Sequence, residues 1–442
     1  MKKNAFVFLT ILMVINQLFS QDSLQTKRWI CQLASPEFYG RGCSHYGDSI
    51  AAQYIKEELI RLDLKPFFKN NYFQKYQFPA FAMEGKVALA VNHQLLNPFD
   101  DYRIAPFSNA ISSKKISLLT LDPTCLFNMD LLRDFTTKNR KILPNSFIYI
   151  DVANFNPENA KEKEFLNQLI RDCQHLPQNP FGAMGIIAGV KELPAWSPGR
   201  TTFERNFSFI YVIADKMPKK PSKIALNLTN TFHLHRTQNI IAVIKGTQYP
   251  DSFILLTAHY DHIGSMGDEV IFTGAHDNAS GTATVLSLAA YIRQHPLPYT
   301  TLFCFFSGEE AGLMGSTYFA SNPIIDFSKI KFALNIDMAC GGDEGIMVVN
   351  SQDEKTKWFY GKLVTLNEQE HFLPAVKNRP NAANSDHYPL SQQGIPALFI
   401  YTMGGKTGGY HNYTDRCENC SLAQWEKFFG LIVGALQQIG NK

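Results

Sequence analysis

The sequence predicts an α/β fold with three layers, α/β/α, around a mixed, mostly parallel central sheet, and a smaller, mostly β domain inserted into it. Two patterns carry this prediction. From residue 238 onward, continuous apolar segments alternate with helical patterns, as in a largely parallel sheet that is covered on both faces. Between about 85 and 235, short β-prone runs alternate with Pro, Asn and Gly breaks, and one stretch near 158–174 stands out as a helix.

The composition is that of a folded protein. The chain has 442 residues, of which 45% are hydrophobic and 18% are charged, so it is too apolar to be disordered. At about 150 residues per domain, this length predicts two or three domains, or one large domain with an insertion. The formal charge is +3 and no long basic run occurs, which argues against a nucleic-acid partner.

The N-terminus has the pattern of a secretory signal peptide. Residues 1–20 combine two lysines, an apolar stretch from Ala5 to Ile15 and a small residue, Ser20, at the end. An uncleaved anchor helix is the alternative, but a membrane span needs about 20 apolar residues, and Asn16 interrupts this run. We therefore expect cleavage, a secreted or periplasmic protein, and no stable membrane insertion afterwards.

The chain has eight cysteines, and the sequence leaves their pairing open. In a secreted protein they would meet an oxidising compartment. Cys304 lies in an apolar run and Cys340 follows the segment NIDMA, so both are interpreted as buried core thiols. Cys417 and Cys420 form a C-x-x-C pair without a second such pair, which favours a local disulfide over a structural zinc site.

The first element predicted after the signal is an amphipathic helix at 46–64. We assign residues 21–84 and 236–442 together to one domain. Residues 85–235, which lie between these two segments, are assigned to the insertion. His233 and His235 alternate where the insertion ends, and such a pair can bind a metal. No carboxylate or cysteine lies near them at ligand spacing, so we expect a structural role.

Strands and helices alternate in the second part of the chain. The predicted strands are NIIAVIKG, SFILLTAHY, TLFCFFS, KFALNID and IPALFIY, and the predicted helices are 279–295, LMGSTYFAS and 421–439. Ligands of such sheets bind beyond the carboxyl ends of the strands. These ends are therefore where we expect the chemistry of the protein.

Imidazoles and carboxylates stand at these strand ends. They are His259 and Asp261, then Asp277 before a helix, then Glu309 and Glu310, then Asp337, and finally Tyr410 and His411 in a loop before the last helix. One such residue could be solvated or could cap a helix, as Asp277 could. Several carboxylates in one cleft repel one another, and a cation is needed to neutralise their charge.

The residue types predict zinc and hydrolysis. Two imidazoles with three carboxylates suit zinc and are too rich in nitrogen for calcium or magnesium, and one carboxylate can bridge two ions. The neighbours Glu309 and Glu310 point in different directions, so one can bind metal while the other faces a water between the two ions. That water becomes a nucleophile near neutral pH when the free carboxylate takes its proton.

The motifs AHYDHIG, GAHDNASG, FSGEEAGLMGS, ALNIDM, SDHYPLSQQGIPAL and YHNYTD resemble those of the two-zinc peptidases of family M28, of the secreted bacterial aminopeptidase type. The resemblance is dense over 238–439 and weaker over 46–64 and at Phe73 and Gln74. The insertion loosely resembles the protease-associated domain of many members. The resemblance implies the zinc-exopeptidase fold, with 21–84 and 236–442 as the catalytic domain.

The resemblance also implies roles for particular residues. One Zn²⁺ would be held by His259 and Asp337 and a second by Glu310 and His411, with Asp277 bridging both; Glu309 would be the general base, Asp261 would orient His259, and Tyr410 would hydrogen-bond the oxyanion. It further implies a cis peptide bond between Asp277 and Asn278, and a site lined by Ser385, Asp386 and His387. By the same pattern, His262 and His276 would not be ligands.

We therefore expect a secreted di-zinc metallopeptidase, with two Zn²⁺ per chain, that hydrolyses peptide substrates at their ends, as an aminopeptidase. One alternative on the same fold is a glutaminyl cyclase-like acyltransferase, which the intact sequence from Asp277 to Gly281 disfavours. A carboxypeptidase or dipeptidase would use the same metal centre. A non-catalytic binding protein is disfavoured because all five ligand positions and Glu309 are retained.

Overall fold

The computed structural model describes residues 23–156, 160–173, 176–198, 203–405 and 407–440. The predicted signal peptide at 1–20 lies outside these residues. Within them, no helix combines the length and the apolar character that a membrane span requires.

A mixed sheet of fifteen strands runs through the described part of the chain. Its strands are β1 (Lys65–Pro66), β2 (Phe73–Val91), β3 (Gln94–Leu95), β4 (Tyr102–Ile104), β5 (Ile111–Leu121), β6 (Ser146–Asp151), β7 (Gly185–Val190), β8 (Ser208–Ile213), β9 (Lys223–Ile244), β10 (Tyr249–His259), β13 (Tyr299–Phe306), β14 (Ile330–Ile336), β15 (Gly345–Val349), β16 (Val376–Arg379) and β17 (Ala397–Met403). A separate hairpin pairs β11 (Ser265–Met266) with β12 (Val270–Ile271).

The centre of the sheet is parallel. β10 pairs in parallel with β13 on one side and with β14 on the other, and β14 pairs in parallel with β17. Leu256 of β10 stands opposite both Phe303 and Leu334. The carboxyl ends of these four neighbouring strands therefore meet at one edge. Antiparallel pairs of β9 with β13 and of β15 with β17 make the sheet mixed.

Helices cover both faces of this central part, as the three-layer prediction requires. The helices are α1 (Ser23–Leu33), α2 (Gly47–Arg61), α3 (Met129–Asn139), α4 (Ala160–Cys173), α5 (Gly281–Gln294), α6 (Met314–Ser321), α7 (Lys357–Glu370), α8 (His387–Gln392) and α9 (Trp425–Gln437). One apolar cluster joins the sheet to α1, α2, α5, α7 and α9, and a second joins its other face to α6 and α8. Successive strand residues alternate between the two clusters, as Leu255 and Leu256 do.

The long strands β2 and β9 connect the central part to the inserted segment. They pair antiparallel from Phe73 opposite Ile240 to Val91 opposite Ile224. The expected boundaries at 84/85 and 235/236 lie inside these two strands. Beyond them, β5 pairs with β9, and β5 to β8 are parallel to one another.

The inserted segment contains one helix more than the sequence pattern predicted. The stretch near 158–174 is helical as α4, but α3 also forms at Met129–Asn139. None of the residues of α3 is buried, although Leu132 and Phe135 pack against the apolar cluster of the inserted segment.

Two disulfides join distant parts of the chain, and both involve the C-x-x-C pair. Cys31 is bonded to Cys417, and Cys340 is bonded to Cys420. The predicted local disulfide is therefore wrong, and so is the interpretation of Cys340 as a free thiol, whereas Cys304 is a buried free thiol as predicted. The C-x-x-C spacing shows only that Cys417 and Cys420 are near each other in the sequence. In the fold, each of them bonds to a cysteine from a distant part of the chain.

Candidate metal centre

The structure brings five predicted metal ligands together at the carboxyl edge of the parallel strands. His259 ends β10, Asp337 follows β14 and Glu310 lies four residues after β13, while Asp277 lies in an irregular turn before α5 and His411 in the loop before α9. These elements converge because parallel neighbours direct their carboxyl ends to the same side.

The carboxylate of Asp277 lies between two imidazoles. One oxygen, Oδ1, is 3.5 Å from His259 Nε2, and the other, Oδ2, is 3.5 Å from His411 Nε2. His259 Nε2 is also 3.3 Å from Asp337 Oδ1, and His411 Nε2 is 3.0 Å from Glu310 Oε2. Asp277 is thus the member that both halves of the cluster share.

Two groups of potential ligand atoms are compact enough to hold an ion, with all atoms of a group within 4.8 Å of one another. They are His259, Glu309 and Asp337, and His262, Asp277 and Glu310. The second group includes His262, whose Nδ1 lies 2.9 Å from Glu310 Oε1. The sequence pattern predicted that His262 would not be a ligand, and this stays a prediction, since Nδ1 contacts the Glu310 carboxylate.

Several donor atoms in this cluster are buried and lack a hydrogen-bond partner among the described residues. They are Nε2 of His262, Nε2 of His411 and Oδ1 of Asp337. Buried polar atoms without partners are costly, and bound divalent cations would lower this cost for Asp337 and His411. The mixture of imidazole and carboxylate donors fits a zinc-type ion.

The electrostatics of the cluster also fit a cation. Burial alone would raise the pKa of Glu310, but the neighbouring imidazoles of His262 and His411 hold this pKa well below its usual range. Burial would lower the pKa of His411, but Asp277 and Glu310 raise it to about 10. Imidazolium charge therefore balances the carboxylates, and a metal ion that bound to the same atoms would displace that proton.

His259 is oriented by the backbone. Its Nδ1 is 3.2 Å from the carbonyl oxygen of Asp261 and 3.6 Å from the Asp261 carboxylate. Donation from Nδ1 to that carbonyl leaves the Nε2 lone pair free to face Asp277 and Asp337. The resemblance assigned the orienting role to the Asp261 carboxylate, but the shorter contact comes from its main chain.

The Asp261 carboxylate instead organises the adjacent glutamates. Its two oxygens accept hydrogen bonds from the backbone N–H groups of Glu309 and Glu310, at 3.1 and 3.2 Å. Desolvation raises the pKa of Glu309 well above its usual value, although His259 opposes this effect. A carboxyl group with a raised pKa is suited to accept and return a proton near neutral pH.

Of the motif at 385–387, only Ser385 touches a predicted ligand. Its hydroxyl donates to Asp337 Oδ2 at 2.8 Å and accepts from Asn335 Nδ2 at 2.7 Å. Asp386 and His387 are completely buried beside it.

Tyr410 lies at the surface of the site. Its ring stacks on that of His411 with 3.8 Å between centroids, and 66% of the residue is exposed. This places Tyr410 beside the cluster, and its contact with an oxyanion stays a prediction. The peptide bond between Asp277 and Asn278 is cis, as the resemblance implies.

Comparison with known proteins agrees with this geometry. Residues 239–435 match the model of peptidase family M28. The chain contains an M28 peptidase domain.

The M28 domain has relatives among characterised proteins. The chain is 26% identical to Aminopeptidase YwaD of Bacillus subtilis over 215 residues, which are 47% of this chain and 45% of that one. It is 34% identical to a probable zinc metalloprotease of Pyrenophora tritici-repentis over 257 residues, 53% of this chain and 52% of that one. The chain spans about half the length of the curated relatives it matches.

Solved structures show the same fold over nearly the whole chain. The zinc aminopeptidase BSAP from Bacillus subtilis aligns over 95% of both chains with a TM-score of 0.66 and 18% identity. A peptidase M28 precursor from Shewanella amazonensis aligns over 97% of this chain and 96% of that one, with a TM-score of 0.64 and 17% identity.

Sequence reasoning missed two residues that support the metal cluster of the M28 domain. Arg41 and Asp415 are both buried and both bind the backbone of the segment that carries Asp277. Asp415 is the last residue of the YHNYTD motif, so the motif itself pointed to it. Arg41 lies more than 200 positions before Asp277, and nothing in the local pattern links the two.

His276 and His235 have structural contacts. His276 is partly exposed, and its Nδ1 accepts the N–H of Cys340 at 3.2 Å. His235 is completely buried, and its Nε2 lies 2.8 Å from Asp48 Oδ2. The partner of His235 is therefore a carboxylate far away in the sequence, and this contact supports the structural role expected for it.

Proposed function

We propose that the protein is a secreted di-zinc metallopeptidase that removes residues from the amino end of peptides. The observation that carries this proposal is the Asp277 carboxylate, whose two oxygens face His259 on one side and His411 on the other. This arrangement suits two ions that share one bridging ligand. The names of relatives, which include aminopeptidases and zinc metalloproteases, support the same reaction.

The proposed ligands divide into two sets around Asp277. His259 and Asp337 would hold one zinc ion, and Glu310 and His411 would hold the other. Two bound zinc ions would supply Lewis acidity, polarising the scissile carbonyl and activating water near neutral pH. His262 would hold Glu310 through the contact between Nδ1 and Oε1, at 2.9 Å.

Glu309 would move the proton. Its backbone is fixed by the Asp261 carboxylate, and its side chain belongs to the same compact group as His259 and Asp337. In this role Glu309 accepts a proton from the attacking water and delivers it to the leaving amine. Tyr410, beside His411, would donate a hydrogen bond to the oxyanion.

We also propose that the segment 85–235 is a smaller inserted domain and that the protein acts outside the cytoplasm. One apolar cluster, which includes Ile148, Ile186 and Phe209, consists of residues within or next to this segment, and this supports the first proposal. The two disulfides and the signal pattern at 1–20 support the second, since disulfides persist in oxidising compartments.

The function is tested with the purified protein, stripped of metal and reloaded with zinc. Peptides with a free and with an acetylated amino end are compared, and products are identified by mass. We expect zinc-dependent release of the first residue from free peptides only. Release from the carboxyl end, or loss of ammonia from an N-terminal glutamine without hydrolysis, would contradict the proposal and indicate the carboxypeptidase or cyclase alternative.

A further inference from the structure

Arg41 is a completely buried arginine whose hydrogen bonds all go to backbone carbonyls. It lies between α1 and α2 and is 0% exposed. Its guanidinium donates to the carbonyl oxygens of Leu33, Tyr260, Thr273 and Gly274 at 2.6 to 2.7 Å, with a longer contact of 3.4 Å to that of Asp277.

Most of these carbonyls belong to the two segments that carry proposed ligands. Tyr260 lies between His259 and Asp261, and its carbonyl is held by Arg41 Nε. Thr273 and Gly274 lead into the turn that presents Asp277, and their carbonyls are held by Nη1 and Nη2. One side chain therefore links the backbone of one terminal ligand to that of the bridging ligand.

Asp415 holds the same turn by accepting hydrogen bonds from the backbone N–H groups of the turn. The Asp415 carboxylate accepts from the backbone N–H of His276 at 2.8 Å and of Asp277 at 3.0 Å. Its carbonyl accepts from the N–H of Ala275 at 3.2 Å and from the hydroxyl of Thr273 at 2.7 Å. The turn that bears Asp277 is thus fixed by Arg41 through carbonyls and by Asp415 through N–H groups.

The charge of Arg41 matches this position. Transfer of an arginine to the interior is costly unless its donors are satisfied and negative charge is near. Here the donors are satisfied by carbonyls, and the charge faces Asp415, Asp277, Asp261 and Glu310. Burial lowers the pKa of Arg41 to about 10, so it remains charged near neutral pH.

We propose that Arg41 is a positioning residue of the metal centre, which fixes the backbone at Asp277 so that the two carboxylate oxygens face different imidazoles. This inference rests on the proposed zinc site. Arg41 lies outside the proposed ligand set and acts on it through the main chain.

The test compares Arg41→Lys with Arg205→Lys in the full-length protein. Lysine keeps the charge but is a compact donor that cannot span several carbonyls. Arg205 is a suitable control because it is also a buried arginine, 6% exposed, but it packs on Phe107 in the inserted segment. Zinc affinity is measured by competition with a chelator, and the melting temperature is measured with and without zinc.

We expect Arg41→Lys to weaken zinc binding by about 10- to 100-fold, the usual cost of losing an outer contact of a metal site. The rise in melting temperature caused by zinc should shrink, because stabilisation by a ligand depends on its affinity. Arg205→Lys should leave both values unchanged. A purely structural role would lower the melting temperature equally with and without zinc, and that result would overturn the inference.

Two further results distinguish the possible failures. If the wild-type protein itself binds no zinc, the proposed function fails and the inference falls with it. If Arg41→Lys does not fold, Arg41→Gln replaces it, since one amide group can donate to at most two of the four carbonyls that Arg41 holds. Folded Arg41→Gln with wild-type zinc affinity would then overturn the inference.

Discussion

Asp277 illustrates what the sequence reveals about single residues. Its place before a helix, in a set of strand-end carboxylates, was enough to predict that it lies in a cleft with His259 and Asp337. In the structure, His259 Nε2 lies 3.5 Å from Asp277 Oδ1 and 3.3 Å from Asp337 Oδ1. The pattern did not predict the contact of His262 with Glu310, because spacing along a strand end does not determine which way a side chain turns.

Glu309 and Glu310 are adjacent and allow a matched pair of variants. Glu309→Gln should retain zinc but lower the rate of hydrolysis by at least about 100-fold, because the water loses its proton acceptor. Glu310→Gln should lose zinc as well as activity, because its carboxylate contacts His411 and His262. Bound zinc is measured by atomic absorption, and activity by release of the first residue.

These two variants can also refute the assignment. If Glu309→Gln hydrolyses peptides at nearly the wild-type rate, another group is the base. If Glu310→Gln retains full zinc content, Glu310 is not a ligand.

At the scale of elements, the predictions succeeded for the segments that are most apolar and most deeply buried. The helix predicted at 279–295 is observed at Gly281–Gln294, and the strand TLFCFFS is observed as Tyr299–Phe306. Both elements are buried on nearly all sides. Helix α7 was not predicted, since it buries only Phe359 and Leu363 and its pattern is correspondingly weak.

The disulfide between Cys340 and Cys420 connects two elements of the site. Cys340 follows Asp337 by three residues, and Cys420 lies in the same loop before α9 as His411. The double variant Cys340→Ala/Cys420→Ala should lose about 2–4 kcal/mol of unfolding free energy. It should also bind zinc more weakly, because His411 becomes less fixed relative to Asp337.

Chemical denaturation and chelator competition measure these two effects. Cys125→Ala is the control, since Cys125 is a free thiol in the inserted segment. The role given to this disulfide is incorrect if the double variant matches the wild type in both stability and zinc affinity.

At the scale of the molecule, the sequence predicted the layers of the fold but not how the two parts join. The alternation of apolar strands and helices after residue 238 predicted the parallel centre of the sheet. The long pairing of β2 with β9 was not predicted, because breaks at Pro79 and Gly85 make β2 look like separate short runs. Arg41 was missed for a similar reason: its partners are distant in sequence and are brought near only by the packing of α1 and α2 on the sheet.

The central claim is that two zinc ions share Asp277. Crystals of the zinc-loaded protein, measured at the zinc absorption edge, test it directly through anomalous difference density. The account predicts two peaks, one on each side of the Asp277 carboxylate, with His259 and Asp337 at one and Glu310 and His411 at the other. A single peak, or two peaks that Asp277 does not bridge, would contradict it.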